Sequence, residues 1–222
     1  DSFADDFNHG VEVRDVVKED MILVQFSSDA PNASLRYWTT IDEANGISTI
    51  EEYMDKMALS KEWGNRNVVK VARVKKGTEV THAIGTAKAQ TKISDPRPGN
   101  GKQILFIKFD SNWITEVRNI KEYLFKIMKK EIMKKKLNDL QCEIRKIQDG
   151  VDDYTREYLI KLEKIIEEYK NKLDSNKMDV SDGGTLGFRR AILEDDNLAN
   201  IDSLYNAAVE VDKFYSQECR EW

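Results

Sequence analysis

Three residues close to the middle of the chain are of types and at spacings that could do chemistry together. Gly99 and Gly101 close a long polar stretch, residues 88–101, and Gln103 follows at once on the first position of an apolar run over 103–109. Glycines allow positive φ and let a ligand approach the backbone closely. A glutamine at a strand start can turn its amide into a cleft, where it donates and accepts at the same time. A polar loop of this length between two strands is more often functional than decorative. The competing reading is a solvent loop that ends in a strand-start Gln. Gly99-Asn100-Gly101-Lys102 superficially resembles a phosphate loop, but a strand follows it, so the N–H cluster of a helix N-terminus is missing. Other catalytic constellations are absent. His9 and His82 are the only histidines and form no H-E-x-x-H, and there is no G-x-S-x-G, Walker loop or G-x-G-x-x-G. Cys142 and Cys219 are too few for a zinc site and are expected to be reduced thiols.

The elements that must position these residues differ between the two halves. Before Trp113, short β-like runs alternate with turns: 11–17, 21–26, 35–39, 67–74 and 80–87. Thr40-Ile41-Asp42-Glu43 reads as a capping box opening a one-turn helix. Ser48 or Thr49 caps a second helix with Ile50, Tyr53, Met54 and Met57 on one face. After Trp113 the pattern is helical. Leu137, Leu140, Ile144 and Ile147, then Leu159, Leu162, Ile166, Tyr169 and Leu173, predict an antiparallel hairpin over 121–149 and 151–174. A last amphipathic helix is expected over 198–219. The division predicted is a lead over 1–18, a catalytic domain over 19–112 and a helical domain over 113–222.

Composition narrows the function class. Of 222 residues 34% are charged, with 35 Lys+Arg against 40 Asp+Glu, and the net charge of −5 gives no field for nucleic acid. No apolar run approaches the roughly 18–20 residues of a membrane-spanning helix. The basic run at Lys129-Lys130 and Lys134-Lys135-Lys136 is diluted by Glu131, Asp139 and Glu143, and reads as a solvated helix face. The opening Asp1-Ser2-Phe3, without initiator Met or apolar leader, reads as a processed form or a piece of something longer.

The stretch 69–103, VKVARVKKGTEVTHAIGTAKAQ…PRPGNGKQ, resembles the C-terminal half of the necrotizing-toxin-type NAD glycohydrolase domain. There a strand leads to a G-x-x-A-P segment and a loop ending P-G-G-G-x-Q, and Gly85, Ala87, Pro98, Gly99, Gly101 and Gln103 fall on that pattern. Upstream, Leu23-Val24-Gln25-Phe26 is similar to the family's first strand, and Arg36-Tyr37-Trp38-Thr39 to its G-R-[FY]-x-[ST] element. The likeness spans about residues 20–110. These domains are distant relatives of ADP-ribosyltransferase toxins. The resemblance implies that Gln103 contacts the nicotinamide ribose, and that Tyr37, Trp38 and Thr39 hold the nicotinamide. Gln25 stands where the family usually has Arg, a role that Arg36 or Arg73 would then take. Lys88 stands where the family has Pro after Ala.

The fold expected is α+β, an ADP-ribosyltransferase-like mixed β core followed by an all-α region. Gln103 and Arg36 are the catalytic candidates; Gln25, Tyr37, Trp38, Thr39, Arg73, Gly99 and Gly101 are the substrate-binding ones. NAD⁺ is expected as substrate, with no cofactor and no metal. Expelling neutral nicotinamide from a cationic ring needs no general acid, so the scarcity of His is no objection. Gln at the late position is associated in the family with hydrolysis more than transfer. The implied setting is a toxin or effector module delivered into a target cytoplasm, with a cognate immunity protein covering 88–103, and no nucleic-acid or membrane partner. Two rivals stay open: a protein ADP-ribosyltransferase and a non-enzymatic helical interaction module. Trp63 is expected to pack and Arg66 to be solvated, while His82 is expected to be scaffold.

Overall fold

Residues 5–8 and 10–221 are described by a computed structural model; residues 1–4, His9 and Trp222 lie outside them, and with them the Asp1-Ser2-Phe3 opening. The chain divides into two compact units, Asp1–Phe125 and Lys126–Trp222. One is built on a sheet and the other on helices, so the class is α+β.

The first unit is a seven-stranded antiparallel sheet of β1 (Glu12–Val16), β2 (Met21–Ser27), β3 (Tyr37–Thr40), β4 (Val68–Val74), β5 (Glu79–Thr86), β6 (Lys102–Phe106) and β7 (Ile114–Asn119). Their order is β1-β5-β6-β3-β2-β4-β7. β2 and β6 lie inside the sheet, and their near-continuous apolar sequences match burial on both faces. Two short helices, α1 (Ile41–Asn45) and α2 (Ile50–Lys56), follow β3. Thr40 caps the first by accepting from the Glu43 N–H, and Thr49 the second by accepting from the Glu52 N–H. Glu52 reaches back to the Ser48 N–H at 2.9 Å, completing a capping box. The core gathers Val17, Leu23, Trp38, Ala72, Val74, Ile104 and Phe106.

Two boundaries move. The lead expected over 1–18 is part of the unit: β1 pairs with β5, Val17 is buried, and Phe7 packs with Ala83 and Leu105. A Cβ at Gly85 would sit 2.9 Å from Phe7 Cδ1, so that glycine lets the lead close on β5. The change to helix falls at Ile120 rather than Trp113, because β7 pairs with β4. Glu116 and Arg118 take its half-buried positions while Val117 is exposed. An edge strand with this inverted pattern carries no hydrophobic alternation to read.

The second unit has α3 (Ile120–Ile147, its first turns in the sheet unit), α4 (Asp153–Asp174), α5 (Phe188–Leu193), α6 (Asp196–Ala199) and α7 (Asp202–Glu218). α3 and α4 run antiparallel, as the pairs Lys134–Asp174, Gln141–Glu167 and Arg145–Glu163 require. Leu137, Leu140 and Ile144 meet Leu159, Leu162 and Ile166, and Leu204, Ala208 and Val211 of α7 complete the core. Cys142 and Cys219 are free thiols; Cys142 is exposed, and burial pushes the Cys219 thiol up to about 12. Among the described residues no helix is long and apolar enough to cross a membrane.

Candidate functional site

β2 is zipped to β4 along its whole length, from Met21–Val74 to Ser27–Val68. Its pairing with β3 is confined to Leu23–Thr40 and Val24–Thr39. β3 turns instead to β6, at Tyr37–Leu105 and Trp38–Ile104. Beyond Val24 the two central strands therefore part, and Gln25 spans the gap. Its Nε2 donates to the Tyr37 carbonyl at 2.8 Å and to the Ser34 carbonyl at 2.9 Å. Both amide hydrogens are thus committed, which fixes the orientation of the amide. Oε1 is buried and receives no hydrogen bond from the described residues.

The parted strands open a cleft of about 510 Å³, lined among others by Gln25, Tyr37, Tyr53, Trp63, Arg66 and Gln103. One wall is aromatic: Phe26 and Tyr53 stack at 4.2 Å, and burial pushes the Tyr53 phenol up to about 12. Also on the lining, the Tyr37 hydroxyl donates to Asp6 Oδ2 at 3.0 Å. Burial, then the Asp6 carboxylate, push Tyr37 up to about 12, so at neutral pH it is a phenol and a donor. Arg66 and Lys88 bring cations to the lining. Burial pulls the Arg66 guanidinium below its ordinary value, yet a guanidinium stays charged.

Gln103 enters the cleft against the end of α2. It is only 4% exposed, and its Nε2 donates to the Met57 carbonyl at 3.4 Å. α2 ends in a Schellman motif: Leu59 N–H donates to Met54 O at 2.8 Å, and Ala58 takes φ +53°. The loop 88–101 finishes the cap. Gly99 N–H donates to Asp55 O and Gly101 N–H to Lys56 O, each at 2.8 Å, satisfying carbonyls that a helix end leaves free. A Cβ at Gly99 would meet Ala87 O at 2.4 Å, and one at Gly101 would meet Lys56 O at 2.7 Å. Arg97, its side chain 2% exposed, pins the same loop to α2 through Glu51 and Asp55 and braces it internally through Asp95, each at 2.8 Å.

The structure thus brings together Gln25, Tyr37 and Gln103 and leaves the other sequence candidates outside the lining. Arg36 is exposed, its guanidinium 5.9 Å from the Tyr37 ring centroid. Trp38 is a core residue, stacked on Phe109 at 4.5 Å with its indole N–H on Leu35 O. Thr39 is buried, its hydroxyl donating to Lys102 O at 2.7 Å. Arg73 stands exposed on β4 opposite Ile22. Gly99 and Gly101 do allow close backbone approach, but to the protein's own helix end. Trp63 and Arg66 exchange their expected places: Trp63 is 50% exposed at the cleft and Arg66 is partly buried there. His82 is buried scaffold, its Nδ1 2.9 Å from Val80 O. Sequence reading missed Asp6, Tyr53, Trp63, Arg66 and Gln90 as cleft residues. Only the Glu-Trp-Gly-Asn-Arg turn, with an aromatic and a cation beside a glycine, carried a local signal.

Among the described residues no three His, Cys, Asp or Glu side chains are grouped to hold a metal ion. No protein-family model matches the chain, and no curated protein or solved structure gives a significant match to it.

Proposed function

We propose that the first unit is an ADP-ribosyltransferase-like catalytic domain that cleaves NAD⁺ between nicotinamide and its ribose, with water as acceptor. The observation that carries this reading is Gln103, a buried amide held at the cleft wall by the Met57 carbonyl, with Gln25 and Tyr37 lining the same space. Departure of neutral nicotinamide leaves an oxocarbenium-like ribose. With Nε2 committed to Met57, the oxygen of Gln103 is the end offered to that developing positive charge. Asp6, hydrogen-bonded to Tyr37, adds a carboxylate whose field favours the same cation. Arg66 and Lys88, the cations on the cleft lining, take the pyrophosphate in place of Arg36 and Arg73, which lie outside it. Trp63 offers an aromatic face at the cleft for a base or the nicotinamide ring. The same proposal takes the chain as a toxin or effector module whose immunity protein covers the loop 88–103.

Incubation of the full chain with NAD⁺ should release nicotinamide and free ADP-ribose in equal amounts. ADP-ribose recovered on protein instead would make the chain a transferase. Absence of nicotinamide release from folded protein would remove the enzymatic reading altogether.

A further inference from the structure

A reaction that takes a proton from water needs a group able to accept it, and the cleft offers one. Among the described residues of the lining, Asp6 is the only carboxylate, and no histidine or cysteine accompanies it. Gln25 and Gln103 carry amides, which take up no proton at neutral pH. Tyr37 and Tyr53, pushed up by burial to about 12, are already protonated, and Arg66 and Lys88 are cations. Asp6 is half-buried and held in place. Its carbonyl accepts from the Lys88 N–H at 3.1 Å, Phe7 bridges to Ala87, and the Asn8 N–H donates to Thr86 O at 2.9 Å. The Tyr37 hydroxyl orients the carboxylate by donating to Oδ2, which leaves Oδ1 for a further donor. We infer that Asp6 is the general base of the cleft, taking a proton from the water that attacks the ribose, with Tyr37 as its positioning residue. This rests on the reading of the cleft as the place where NAD⁺ is cleaved, and it names the residue that makes water the acceptor. The bond from ribose C1′ to nicotinamide breaks, and its electron pair leaves with the nicotinamide. The water oxygen bonds to C1′ and keeps one hydrogen as the new anomeric hydroxyl. Its other proton passes to the Asp6 carboxylate and from there to solvent. Gln103 then answers the charge on the ribose, and Asp6 the nucleophile.

The test is chemical rescue. Wild type and Asp6→Asn, each as the full chain, are given NAD⁺ with and without sodium azide, and nicotinamide and the ribosyl product are measured. Asparagine keeps the length and an acceptor for Tyr37 but is no base. Nicotinamide release by Asp6→Asn should fall by about a hundredfold or more while KM stays within about threefold, the scale of losing a positioned base. Azide attacks with no proton to lose. It should restore release by Asp6→Asn at least about tenfold and appear in the product as ADP-ribosyl azide, a rescue that a merely structural role would not give. Release by Asp6→Asn close to that of wild type, or a slow but folded variant that azide does not rescue, would overturn the inference while the proposed activity stands. A wild type that releases no nicotinamide would end both. Should Asp6→Asn not fold, Asp6→Ala, which leaves room for the azide, gives the same two readings.

Discussion

The two units treat buried polarity in opposite ways. In the helical unit the buried polar side chains among the described residues are matched. Asp212 accepts from the N–H groups of Gly187, Phe188 and Arg189, Gln141 bonds Glu167 and Lys170, Thr155 bonds Asn197, and Ser181 bonds Gly184. In the sheet unit three buried atoms have no partner among the described residues: Gln25 Oε1, His82 Nε2 and Tyr123 Oη. Each such atom costs on the order of 1–3 kcal/mol, so a unit that keeps several is less stable than its core could make it. One of the three, Gln25 Oε1, belongs to a cleft-lining residue. The helical unit is satisfied as it stands, whereas the sheet unit keeps unmatched polar atoms sealed inside it.

The most direct way to break this contrast is Gln103→Ala. If the cleft is where the chain acts, nicotinamide release should fall by about a hundredfold or more, the scale of losing one charge-stabilising group. Emptying this buried position should cost about 2 kcal/mol in urea unfolding, which leaves the chain folded and does not account for a hundredfold loss per folded molecule. Undiminished release would move the chemistry elsewhere. The next effect belongs to the other unit. Asp212→Ala removes the carboxylate that accepts three N–H groups at the start of α5 and should cost roughly 2–3 kcal/mol in urea unfolding. Cleavage per folded molecule should stay within twofold. A matching loss of activity would mean that the two units do not divide labour as proposed.

Arg97 tests whether the loop 88–101 serves by position rather than by contact. Arg97→Leu unpins it from Glu51 and Asp55 of α2 and breaks the internal pair with Asp95, while the loop's amides still cap α2. We expect about a tenfold fall in kcat/KM through misplacement of Gln103, which follows the loop directly. Acid should do the same more gently. Arg97, then Lys61, lower the Glu51 carboxyl, and the Lys61 N–H, then Arg97, lower that of Asp95. Carboxyls with lowered folded pKa lend stability in full above the ordinary carboxylate range and lose it as pH falls through their folded values. Proteolysis of the loop should therefore stay slow at neutral pH and accelerate at acid pH, and Arg97→Leu should be cleaved quickly at both. An unchanged cleavage profile in the variant would show that the glycine cap alone holds the loop.

How much of this was legible in the sequence follows the same division. The hairpin seams repeat at three and four residues, so α3 and α4 could be read within a few residues. β2, β4, β5 and β6 were legible from runs of apolar or β-branched residues, and Thr40 and Thr49 from their capping chemistry. β7 was hidden by its inverted burial. At the site, the glutamine at the head of an apolar strand was visible, as were Gln25 and Tyr37 through a family likeness. Trp38 was misassigned because the strand alternation that sends Tyr37 to the cleft sends its neighbour to the other face. Thr39, on Tyr37's face, is buried with its hydroxyl spent on Lys102 O. Arg66 and Asp6 lie far from Gln103 in sequence, and only the parting of β2 and β3 brings them together. Nor could spacing say that Gly99 and Gly101 serve a helix end, since a glycine's freedom looks the same whatever approaches it.

The smallest effect compares two equivalent helix ends. α2 and α4 both close with a Schellman motif, and the left-handed position falls to Ala58 in one and Asn176 in the other, at φ +53° and +55°. Lys177 N–H donates to Lys172 O as Leu59 N–H does to Met54 O, both at 2.8 Å. Asparagine tolerates that conformation; alanine carries a Cβ penalty of about 1–2 kcal/mol. Ala58→Gly removes the penalty but also a buried methyl and some chain stiffness, together about 1 kcal/mol. The net should be stabilisation of about 0.5 kcal/mol in urea unfolding, against about zero for Asn176→Gly. Stabilisation at Ala58 with turnover unchanged would show strain that merely sits beside the cleft. Stabilisation with turnover halved or worse would tie the strained turn to the placement of the Met57 carbonyl, and so to Gln103.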